Sequence, residues 1–383
     1  MYETKLNYDD VSIIPERITT ISSRSECNPY DEDGFLPIFA SCMTSVVSIE
    51  NAAEFNAAKI KVVIPRSYSI AERFDYLMKG TVNFVAFSLN ESTDILLNSL
   101  SLYFHQLDSI HKAEPDRKFN ICIDLANGHM ERLLDAVKAI KRQWGNSIVV
   151  MTGNIANPET YRDYEAAGVD YCRTGIAGGN ACLTGSNTGV YMPYFSLMRD
   201  IATIKHEING KCKIIADGNI QGYRDIQKAL IYADYVMIGS LFNKAMESAG
   251  KTTYGTRYWN IRGNKIMRPI STLLTYGKEI PSDEKAEAFK DFKEGRLTIW
   301  KQFYGQSTKL AQKIMGAANG DNFVKTKTSE GLIKYQKVEY DIKGWAENET
   351  DYLRSAMSYT NSRTLEEYKD SEWVRITNIR YNK

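Results

Sequence analysis

The chain of 383 residues carries almost no excess charge: 48 Lys and Arg against 47 Asp and Glu leave a formal +1. That balance gives no electrostatic case for nucleic acid or an acidic membrane surface, and points to a small ligand. No apolar run approaches the roughly 20 residues that a membrane helix needs, and the opening Met1-Tyr2-Glu3-Thr4-Lys5 has no apolar signal core. A soluble, cytoplasmic protein without a membrane partner is expected. The six cysteines, Cys27, Cys42, Cys122, Cys172, Cys182 and Cys212, form no Cys-x-x-Cys pair, so neither a disulfide framework nor a zinc site is indicated. No Gly-x-Gly-x-x-Gly follows a strand-like run, which argues against a Rossmann-type cofactor site.

What the chain does have is a segment unlike the rest. From Arg173 to Gly189 it packs five glycines, four hydroxyl side chains and Cys182 directly behind the strand-like run 169–172. Such a stretch is too rich in glycine for a helix and too polar for a core strand. A glycine-lined loop lets backbone N–H groups approach a ligand, and a thiol among hydroxyls can act as a nucleophile. Alone, the same pattern is also that of a mobile surface loop.

Eight short β-branched or aromatic runs, at 35–40, 61–64, 82–87, 119–123, 147–151, 169–172, 213–216 and 235–238, alternate with helical stretches. Strands joined through helices must pair in parallel, and eight such units close a (β/α)₈ TIM barrel. We expect one barrel domain over 1–383, with an insert and flap region at about 243–335. The segment 130–144 places Leu133, Leu134, Val137 and Ile140 on one helical face, a core stripe.

Barrel chemistry lies where strands end. The ends here are Ser41-Cys42-Met43, Asp124-Leu125-Ala126-Asn127-Gly128, Thr152-Gly153-Asn154, the cysteine loop, Asp217-Gly218-Asn219 and Gly239-Ser240. Glycines after the seventh and eighth strands suit a phosphate, and an Asp beside them suits a ribose diol. Asp217 could instead cap a helix at 223–231. Beyond the eighth run, the segment Thr252 to Gly263 alternates aromatic and basic residues, which reads better as a hairpin than as a nucleic-acid patch. Tyr304-Gly305-Gln306-Ser307 and Ser329-Glu330-Gly331 then lie in a polar region able to act as a flap, with Glu330 either a late catalytic group or simply solvated.

Taken together, Tyr8-Asp9-Asp10-Val11, Ser23-Arg24-Ser25-Glu26, the cysteine loop, Arg354-Ser355 and Arg375-Ile376-Thr377 resemble the IMP dehydrogenase/GMP reductase family across nearly the whole chain. The resemblance implies (β/α)₈ barrels that act on C2 of a purine nucleotide through a cysteine thioimidate. It implies Cys182 as nucleophile with Thr184 and Glu330 as catalytic partners. Ser41, Met43, Asn180, Asp217, Gly218, Gly239, Ser240, Tyr304, Gly305, Gln306 and Ser307 would hold a purine nucleoside monophosphate, GMP or IMP. Asp124, Asn127, Gly128 and Asn154 would meet NADPH or NADP, and the backbone of Gly175, Gly178 and Cys182 would hold K⁺. A homotetramer is also implied.

Ala126-Asn127-Gly128, the run from Phe303 to Ser307, Ser329-Glu330-Gly331 and Val374-Arg375-Ile376-Thr377 resemble the reductase branch. No Arg-Tyr pair lies between Tyr304 and Glu330, and the connection after the second run is only helix-length, without the regulatory module of many dehydrogenases. The expected reaction is NADPH-dependent deamination of GMP to IMP and ammonia. The alternatives are IMP dehydrogenase and a purine-nucleotide-binding regulator without turnover. Several positions depart from the family pattern: Asn180 stands for a Ser, Leu183 and Gly185 for Thr and Arg, Thr44 for Asp, and Asn219 for Gly. These leave the cation and the identity of the purine open.

Overall fold

In the computed structural model, which describes residues 4–259, 265–267, 294, 297–318 and 331–376, the chain enters through a short strand β1 (Val11–Ile13). Eight parallel strands then close a barrel in sequence order: β2 (Ile38–Ala40), β3 (Lys61–Ile64), β4 (Phe84–Phe87), β5 (Phe119–Asp124), β6 (Ile148–Ile155), β7 (Tyr171–Thr174), β8 (Lys213–Asp217) and β9 (Tyr235–Ile238). The register places Phe39 beside both Lys61 and Met237, which joins the first barrel strand to the last.

The twofold alternation of strand side chains divides these residues into two cores. Phe39, Val63, Phe84, Cys122, Met151, Ile215, Tyr235 and Met237 form one buried cluster, contributed by strands all round the barrel, so it fills the interior. Four aromatics lock together there, with Phe39 to Tyr235 ring centroids 5.1 Å apart and Phe84 to Tyr171 also 5.1 Å. The alternate set, including Ile38, Val62, Ile64, Val85, Ile121, Ile123, Val150, Ile214 and Val236, packs outward against the helices. Helix Glu131–Trp144 supplies Leu133, Val137 and Ile140 to that layer, with Leu134 partly buried at its edge. Helix starts follow local capping chemistry: Ser69 with Glu72, and Ser88 with Glu91, each satisfy the other's backbone N–H.

All eight expected strand runs are present, but β5, β7 and β8 run on to Asp124, Thr174 and Asp217, and β6 runs furthest past its expected end, to Ile155. β6 continues through Thr152, Gly153 and Asn154 to Ile155 because Thr152 is buried and donates its hydroxyl to the Ile123 carbonyl at 3.0 Å. Gly153 is required within it: φ is +147°, and a Cβ would lie 2.3 Å from the Arg173 carbonyl oxygen.

The region after β9 is more than a hairpin. β10 (Thr252–Trp259) pairs antiparallel with β11 (Lys265–Met267) and, on its other edge, with β12 (Leu297–Tyr304), which pairs with β13 (Ile333–Lys337). Near the end of the described chain, β14 (Trp373–Arg375) pairs antiparallel with β1, and the Ile376 N–H donates to the Asp10 carbonyl at 2.9 Å. Among the described residues no helix is long and apolar enough to cross a membrane.

Candidate active site

A cavity of about 1050 Å³ opens where the barrel strands end. Its wall includes Ser41 and Met43 after β2, Asp124 and Asn127 at and after β5, Asn154 in β6, the cysteine loop from Gly175 to Thr184, Asp217 and Gly218 at β8, and Gly239 and Ser240 after β9. β12 then delivers Gly305, Gln306 and Ser307 to the same wall.

Cys182 is half-buried, with Sγ 3.3 Å from Thr184 Oγ1. Two separate segments fix its loop. Below, the Gly178 N–H donates to the Tyr194 hydroxyl at 2.9 Å, and the Asn219 N–H donates to the Gly178 carbonyl at 3.0 Å, tying the cysteine loop to the loop after β8. Above, Gly331 pairs with Cys182 in an antiparallel bridge, the Leu332 N–H donates to the Ala181 carbonyl at 2.9 Å, and Lys334 Nζ donates to the Asn180 carbonyl at 2.7 Å. The last segment of the insert is therefore seated directly on the thiol-bearing turn.

The cavity floor is a row of alternating charge. Arg66 Nε donates to Asp124 Oδ2 at 3.0 Å, Arg173 Nη1 donates to Asp124 Oδ1 at 3.0 Å, and Arg173 Nε and Nη2 both donate to Asp217 Oδ2 at 3.0 and 2.8 Å. Burial by itself would push the Asp124 carboxyl up, but the two guanidinium groups outweigh it and hold the pKa at about 2. Asn154 Nδ2 adds a third donor to Asp217 Oδ2, at 2.9 Å. With three donors on its Oδ2, Asp217 carries no protein hydrogen bond on Oδ1 among the described residues.

At residues 5–285 the sequence matches the profile described as IMP dehydrogenase / GMP reductase domain. The chain belongs to that family. A GMP reductase of Chromobacterium violaceum is 32% identical over 290 residues, covering 70% of this chain and 86% of that protein. A GMP reductase of Caenorhabditis elegans is 26% identical over 393 residues, with 98% and 93% covered, and GMP reductase 2 of Mus musculus is 25% identical over 386 residues, with 98% and 95% covered. Family likeness to these animal proteins thus extends through the insert and the closing helices.

Within this family site most residues expected from sequence share one wall, and a few do not. Tyr304 is 5% exposed and lies off the cavity, and Gly128 is turned away, its carbonyl accepting from the Tyr164 hydroxyl at 2.9 Å. Asp217 is not a helix cap: the helix Tyr223–Ala229 starts behind Gly222, and the carboxylate faces Arg173. The carbonyls of Gly175 and Gly178, expected around K⁺, already accept from Asn154 Nδ2 at 2.9 Å and from the Asn219 N–H at 3.0 Å. Glu330 lies outside the described residues.

Arg66, Arg173 and His129 line the cavity without having been singled out by sequence. Arg173 had a signal, a lone cation at the junction of a strand-like run and the glycine-rich loop, whereas Arg66 and His129 had none. His129 Nε2 accepts the Ala156 N–H at 3.1 Å and Nδ1 lies 3.0 Å from Thr160 Oγ1, so both ring nitrogens are engaged and burial lowers its pKa. That makes it a brace rather than an acid.

Proposed function

We propose that the protein converts GMP to IMP and ammonia with NADPH, through a covalent bond between Cys182 Sγ and purine C2. The reading is carried by Cys182, which stands on the cavity wall 3.3 Å from the Thr184 hydroxyl. The relatives named GMP reductase support the choice of reaction.

The nucleotide would lie with its phosphate against the backbone of Gly218, Gly239 and Ser240 and its ribose on Asp217 Oδ1. Arg173 and Asn154 keep that oxygen aimed by occupying its neighbour. Attack by the thiolate makes the Sγ–C2 bond, and departure of the 2-amino group as ammonia needs a proton at that nitrogen. The two described carboxylates lining the cavity, Asp124 and Asp217, are both paired with Arg173, and Asp124 stays ionised down to about pH 2. Neither is a ready donor, which supports Thr184 with Glu330 as the proton relay. Gly331, the residue after Glu330, is bridged to Cys182.

A cavity of about 1050 Å³ is at the upper end of the roughly 300–1,000 Å³ that encloses one drug-sized ligand. The nicotinamide end of a dinucleotide would enter it beside the purine. Asn127 would hold the nicotinamide half, while Asp124, with both oxygens bonded, positions Arg66 and Arg173 behind it. When bound, NADPH supplies the hydride that C2 accepts before Cys182 leaves.

Cys182→Ala should keep GMP affinity within a few-fold while abolishing ammonia release, and a variant that still turns over would remove the covalent route. Glu330→Gln should slow ammonia release by a factor on the order of 10² to 10⁴ while hydride transfer, started from IMP and NADP⁺, suffers much less. Equal loss in both half-reactions would remove Glu330 from the relay.

A further inference from the structure

We propose that Tyr194 is a positioning residue that sets the nucleophile and the ribose acceptor relative to one another. The inference rests on the proposed roles of Cys182 and Asp217. Tyr194 is the first residue of helix Tyr194–Glu207 and is 1% exposed. Asn7 Oδ1 anchors it by accepting its backbone N–H at 3.0 Å.

Its side chain stands between the two catalytic loops. The hydroxyl oxygen accepts the Gly178 N–H at 2.9 Å, and its hydrogen is directed to the Asp217 carbonyl, 3.5 Å away. One hydroxyl therefore accepts from the cysteine loop and donates to the last residue of β8. Burial keeps the phenol far above its ordinary pKa, so it retains the proton this double role needs. Both loops are wound tightly on the ring. A Cβ on Gly175, Gly178 or Gly218 would lie 2.3, 2.2 or 2.9 Å from Tyr194 atoms, and Gly175 and Gly218 also have φ of +113° and +115°. These glycines are thus matched to the tyrosine as well as to a ligand. Only a chain without Cβ at these positions can pass so close to it.

The geometry makes two separable demands, one on the hydroxyl and one on the ring. Tyr194→Phe keeps the ring and removes the link through the hydroxyl. It should lower kcat roughly tenfold, the scale of one lost buried hydrogen bond, with a smaller change in KM for GMP. It should also alter the rate at which iodoacetamide alkylates Cys182 in the absence of nucleotide. Gly178→Ala should lower kcat by two orders of magnitude or more in the Tyr194 enzyme, and by far less when combined with Tyr194→Ala, because the obstructing ring is then gone.

The proposal is overturned if Gly178→Ala costs the same in both backgrounds, or if Tyr194→Phe leaves both kcat and Cys182 alkylation within twofold of the parent. Should Tyr194→Ala not fold, the phenylalanine variant decides alone. The alkylation arm needs no turnover, so failure of the parent to reduce GMP would count against the reductase reading and leave this arm intact.

Discussion

Arg173 ties together more of the candidate site than its sequence position reveals. Its partner Asp217 is 44 residues away and Asp124 is 49 away, brought together only by strand pairing. Cys182 and Thr184, two residues apart, were legible because a short loop brings them together whatever the fold. The charge row has a thermodynamic consequence. Asp124 has its pKa lowered from 3.8 to about 2, so its contribution to stability is present above about pH 4 and is lost as pH falls toward 2. The shift corresponds to roughly 2 kcal/mol. Chemical unfolding of the parent and Asp124→Asn should therefore show a stability gap at pH 6 that narrows by pH 3. A gap that stays constant would mean the carboxylate does not titrate against the two arginines.

At the scale of elements, helix Ile342–Tyr359 carries the opposite case. Glu349 is fully buried, and among the described residues neither carboxyl oxygen completes a hydrogen bond, although Gln227 lies close enough to offset a little of the cost. Burial raises its pKa well above 4.5, so folding must neutralise it, and stability falls as pH rises above the unfolded value. Glu349→Gln should raise the melting temperature at pH 8, with the advantage shrinking toward pH 5, and thermal melts at the two pH values check it. A variant less stable at pH 8 would show that the carboxylate is satisfied by charge. Nothing in the sequence marks Glu349, since an acid in a long polar helix reads as solvated. The strands were the reverse case: their β-branched runs announced them, and what was missed was where they end, most of all at β6, because Thr152, Gly153 and Asn154 have the composition of a loop.

Over the whole molecule, the barrel was legible from eight strand-like runs alternating with helical stretches, whereas the sheet built by β10 to β13 was not. β10 and β12 lie some 40 residues apart in sequence, and neither β12 nor β13 has the clean alternation of a half-buried strand. That sheet matters because β12 leads into Gly305 to Ser307 and the segment before β13 covers Cys182. The barrel, the thiol loop and this cover together shape the cavity on which the proposed reaction depends. The decisive measurement is nicotinamide absorbance with purified protein, comparing GMP plus NADPH against IMP plus NAD⁺. The reductase reading predicts GMP-dependent NADPH oxidation with IMP and ammonia formed in equal amounts, and no NAD⁺ reduction with IMP. NAD⁺ reduction by IMP, or GMP binding with no oxidation of NADPH, would contradict it.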